Sequence, residues 1–117
     1  AMNDERRCTF ESLGETDPGR RLAALAEVLF DAKHFALERA MRVWALKDDT
    51  VATSVARCDR RVHRLVRQVL IEHGLDEAAA DERAALVCAA RIGLLFDTAP
   101  DATPPLRERL VDFMVRR

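Results

Sequence analysis

The chain has 117 residues, a 49% hydrophobic and 33% charged composition and a formal net charge of −1. That is one domain of ordinary size, long enough to bury a core without disulfides. The balance excludes a disordered chain, and it gives no overall field that would favour nucleic acid or an anionic membrane. Three cysteines, Cys8, Cys58 and Cys88, are odd in number and widely spaced, which reads as a reducing, cytoplasmic setting. No run of about 18 apolar residues is present, so no membrane partner is expected.

Tyr is absent and Gly and Pro number four each, so strand signals are poor and the expected fold class is all-α. Residues 1–16 form a polar lead-in, and 17–117 read as one five-helix, bundle-like domain. Asp17-Pro18 is an N-cap followed by Pro at the first helical position, and it opens a helix to about Lys33. Leu22, Leu25, Ala26 and Leu29 are its apolar stripe. A short second helix spans about Phe35 to Lys47, with Leu37, Ala40, Met41 and Trp44 as its stripe.

The third helix runs from about Asp49 to His73. Val51, Val55, Cys58, Val62, Leu65 and Val69 repeat along it in alternating steps of four and three. Arg57, Arg60, Arg61, Arg64 and Arg67 fall on the other side and read as a solvated face. Gly74 supplies a left-handed cap.

The fourth helix, about Asp76 to Phe96, is apolar almost all round from Ala84 onward, with Arg91 its one charge there. A helix apolar on every side must be covered on every side. The last helix begins near Pro104-Pro105 and carries Leu106, Leu110, Phe113 and Met114. Two wide-striped helices at the end predict that two chains pair them into an intermolecular four-helix bundle. Ala85, Ala89, Ile92, Gly93, Phe96, Leu110, Phe113 and Met114 are the expected homodimer interface.

No phosphate loop, nucleophile elbow or metal-binding motif occurs, so no catalytic residue, metal or cofactor is expected. Cys58 and His63 lie about 140° apart on an ideal helix and do not converge. Phe30, Phe35, Met41 and Trp44 cluster on the first two helices. They are read either as core or, with Cys58 and Val62, as the lining of an apolar ligand pocket.

The run from Glu38 to Ala45, then Asp48-Asp49, Val51, Asp59-Arg60-Arg61, Gly74, Ala84-Ala85-Leu86 and Gly93 form an ordered pattern. It resembles the C-terminal ligand-binding and dimerisation domain of TetR-family transcriptional regulators, over about Asp17 to Phe96. The resemblance implies a small, often apolar effector molecule and dimerisation through the last two helices. It also implies core packing for Trp44 and close helix approach at Gly93, with Arg42 a third pattern position. The family's helix-turn-helix has no counterpart here, so operator DNA is expected to be reached only through such a domain outside this chain. The alternatives are a ligand-free dimerisation or adaptor domain and, ranked below both, a helical enzyme.

Overall fold

Among the described residues, three of the four long helices start where an aspartate accepts the first free backbone N–H groups. The computed structural model of the chain describes residues 17–96, 108–110 and 112–114. Helix α1 is Pro18–Leu29, α2 is Phe35–Ala45, α3 is Asp49–Glu72 and α4 is Glu77–Leu95. Residues 108–110 and 112–114 are helical as well, and no strand occurs among the described residues. The fold is all-α, as the composition and periodicity imply.

Asp17 Oδ1 accepts from Gly19 N at 3.1 Å, and Pro18 sits where its missing N–H is not needed. Asp48 Oδ1 accepts from Thr50 N and Val51 N at 2.9 and 3.2 Å, and Asp76 Oδ1 from Ala79 N at 2.8 Å. Helix α2 has no side-chain cap. It follows a 3₁₀ turn, Ala32–His34, where Asp31 Oδ1 takes the Lys33 N–H at 3.0 Å. That local bond competes with helix continuation. The first helix therefore stops at Leu29 instead of reaching Lys33. The second stops at Ala45, where Lys47 N already bonds back to Trp44 O at 3.0 Å.

Helix α3 ends in a Schellman arrangement. Gly74 has φ 108°, its N–H reaches Ile71 O at 3.0 Å, and Leu75 N reaches Leu70 O at 3.1 Å. The Leu75 side chain is carried into the core beside Leu70. This turn reverses the chain, so α4 runs back along α3 in the most extensive helix contact among the described residues.

The core is built from Leu22, Leu25 and Leu29 of α1, Val66, Val69 and Leu70 of α3, and Ala80, Ala84, Val87, Leu94 and Leu95 of α4. Phe30 and Phe35 close it where α1 gives way to α2. Met114 is fully buried in the same cluster. Expected at the dimer interface, it instead fills its own chain's core and presents no surface to a second copy.

Helix α2 is the main departure from its apolar pattern. The expected inward stripe faces out: Leu37 and Trp44 are 48% and 58% exposed, and Ala40 is exposed. Of that stripe Met41 alone is half-buried. The inward side carries Phe35 and Glu38, with Arg42 and Ala45 half-buried. The helix is turned about 100°, one residue step, from its apolar reading. Core packing for Trp44 is thereby corrected, because the charges of α2 find partners inside the fold and draw that side inward.

Candidate functional site

The polar residues of α2 tie it to α3 and α4, and through Arg91 to the end of α1. Arg91 of α4 and Glu38 form a buried ion pair in which one guanidinium nitrogen donates to both carboxylate oxygens. Arg91 Nε also donates to Leu29 O, at the end of α1, at 2.9 Å. Arg39 Nε donates to Leu95 O, one of the last carbonyls of α4. Arg42 makes a two-pronged bond to Asp59 of α3, Nη2 to Oδ1 at 2.6 Å and Nη1 to Oδ2 at 2.9 Å.

Burial lowers the Arg91 pKa, and the nearby Arg42 guanidinium adds to the effect, while Asp59 and Cys88 oppose it. An arginine begins so far above neutrality that Arg91 still carries its charge. Burial raises the Cys88 thiol, with Arg91 lowering it and Asp59 raising it further. Cys58 and Cys88 are free thiols, and no group of three metal-ligating side chains gathers among the described residues.

Beside this network lies an open groove of about 300 Å³, lined by Arg42, Val43, Ala45 and Leu46 of α2 and its end, Val55 of α3 and Phe96 after α4. The tight turn that ends α2 leaves Leu46 84% exposed at the rim. Arg42 supplies the polar wall; its Nε is buried with no hydrogen-bond partner among the described residues. The walls are otherwise aliphatic and aromatic, which suits an apolar molecule of modest size.

The six residues expected to line a pocket do not line this groove. Phe30 and Phe35 are core, Met41, Cys58 and Val62 are half-buried, and Trp44 is on the surface. The expected interface positions divide differently. Ala85, Ala89, Gly93, Phe96 and Phe113 are exposed, and Ile92 and Leu110 are half-buried. With Leu86, 50% exposed, Ala85, Ala89, Gly93 and Phe96 form an outward apolar stripe along α4. A Cβ built on Gly93 meets nothing within 4 Å. Phe113 lies under the Arg83 guanidinium, 5.4 Å from ring centre to charge, while its carbonyl accepts from Arg83 Nη1.

Sequence reading missed Glu38, Arg42 and Asp59 as partners across the fold. The available signal was Arg91, a lone charge inside an apolar run. Such a residue must find a counter-charge or hydrogen-bond acceptors once buried. Comparison with protein-family models, with curated proteins and with solved structures returns no match to this chain. Among the described residues no helix is long and apolar enough to cross a membrane.

Proposed function

We propose that this chain is the effector-binding and homodimerising domain of a TetR-like transcriptional regulator, a binding module rather than a catalyst. The outward face of α4 carries the proposal: Ala85, Leu86, Ala89, Gly93 and Phe96 are exposed together on a helix whose other side is already buried. A second copy presenting the same stripe covers this face by two-fold symmetry, and the small residues let the two helices approach closely. Phe113, exposed, and Leu110, half-buried, are the positions on the last helical segment open to such a partner. The apolar groove beside Arg42 is the place for a small effector molecule. Such a ligand acts by favouring one of two arrangements of the intact regulator. Operator recognition in this family belongs to the helix-turn-helix, not to this domain.

Light scattering across a concentration range tests the dimer. A particle of about twice the 13.2 kDa chain is expected. Gly93→Leu projects a side chain into open space within one chain, so it leaves helical content intact while shifting the particle to monomer. A wild-type monomer, or a Gly93→Leu protein that unfolds, contradicts the reading.

A ligand-free dimerisation module is the second reading, and the packing of Phe30 and Phe35 into the core favours it. Thermal melts against a panel of small hydrophobic compounds separate the two. A ligand at about 100 times its Kd stabilises a domain by about 2.7 kcal/mol. A dimer that responds to no compound favours the ligand-free module.

A further inference from the structure

Helix α3 carries four exposed arginines, Arg57, Arg60, Arg61 and Arg64, in a block related by steps of three and four residues. They occupy about 10 Å of helix. The exposed positions around them are Thr53, Ser54, Ala56 and Gln68, without a carboxylate. Asp49 and Glu72 lie at the two ends of the helix, and Asp59 is engaged by Arg42.

Most other arginines among the described residues have an acceptor, Arg109 excepted. Arg21, Arg42, Arg67 and Arg91 each face a carboxylate, and Arg39 and Arg83 donate to backbone carbonyls. Among the described residues, none pairs with Arg57, Arg60, Arg61 or Arg64. Like charges three and four residues apart destabilise a helix. Among the described residues the block's own repulsion is therefore uncompensated, in a chain of net charge −1.

We propose that this face of α3 binds the phosphate backbone of duplex nucleic acid without reading its sequence. Guanidinium forks match phosphate oxygens in pairs, a geometry that an ammonium lacks. A duplex presents one negative charge per about 1.7 Å of its axis, so a 10 Å block meets roughly six charges. A membrane surface is the poorer partner, because insertion needs large apolar residues beside the basic ones and this face has none. Single strands are also poorer partners, because no aromatic ring lies between the arginines for a base to stack on. The site needs neither an effector pocket nor a dimer, so it stands apart from the regulator reading.

Fluorescence anisotropy with a labelled duplex of random sequence, from low to physiological salt, tests the proposal on the full chain. The expected slope of log affinity against log salt is about −3.6, that is about −0.9 for each of four phosphates neutralised. The Arg57→Gln/Arg60→Gln/Arg61→Gln/Arg64→Gln variant removes repulsion, so it melts no lower than wild type while losing most of the binding and the slope. Lys33→Gln/Lys47→Gln, at exposed positions outside the block, leaves binding close to wild type. Four outcomes overturn the proposal: no duplex binding at low salt, unchanged binding by the quadruple variant, an equal loss in the lysine variant, or tighter binding of anionic vesicles or polyglutamate than of duplex.

Discussion

Arg91→Met isolates the energetics of the buried ion pair. The substitution keeps a long, unbranched side chain but removes the guanidinium that meets both Glu38 oxygens and Leu29 O. The side chains of Arg91 and Glu38 are only 4% and 9% exposed, so water cannot replace the lost charge in place. Removing one partner of a buried pair costs about 3–5 kcal/mol. At an m-value of about 1.5 kcal/mol/M, a loss of about 4 kcal/mol moves a urea midpoint down by about 2.7 M. Urea titration followed by far-ultraviolet circular dichroism reads this directly. The double variant Arg91→Met/Glu38→Leu removes both charges and is expected to be neutral or more stable than wild type, by up to about 4 kcal/mol. An Arg91→Met protein within about 0.5 kcal/mol of wild type, or a double variant as unstable as the single one, refutes the reasoning.

Trp44→Ala is expected to change stability by less than about 1 kcal/mol, because the ring is 58% exposed; a melt lowered by the 3–5 kcal/mol of a core aromatic would place it inside. Asp48→Ala removes the acceptor for Thr50 N and Val51 N and lowers stability by about 1 kcal/mol, read by urea titration; no change would mean another group caps α3. The raised thiol pKa of Cys88 predicts an alkaline loss of stability. The folded state holds the proton where the unfolded chain has released it, so this contribution is complete below about pH 8.5 and declines as pH rises through the folded value. Cys88→Ala should flatten that part of the profile, and an identical alkaline slope in the variant would assign it to other groups.

Much of the fold was legible because local rules and packing agree for most elements. Asp17, Asp48 and Asp76 announce helix starts, and Gly74 announces the reversal between α3 and α4. The side of α3 that bears Val66, Val69 and Leu70 is the side its periodicity puts inward. Helix α2 was misread because apolar periodicity has no term for a charge that is buried with a distant partner. Glu38 lies 53 residues from Arg91, and Arg42 lies 17 from Asp59. Pairings at that separation leave no mark within one helical wheel. The groove was invisible for a related reason: Val43, Val55 and Phe96 are brought together only by the tertiary arrangement. Met114 belonged by pattern to a wide apolar stripe, and the stripe alone does not say which chain covers it.

Helix α4 also bears on how the chain avoids alternative packings. It has apolar side chains on opposite sides, so spinning it about its axis would exchange Val87 and Leu94 for Leu86 and Phe96 with little change in greasy contact. Hydrophobic burial alone would leave several orientations of nearly equal energy. Arg91 removes that degeneracy, because only one orientation delivers its guanidinium to Glu38 and the Leu29 carbonyl. Every other orientation that keeps Arg91 inside strands a bare cation in the interior. Replacing the pair with apolar residues is therefore expected to trade a single native arrangement for a set of rotational isomers, even where the melting temperature rises.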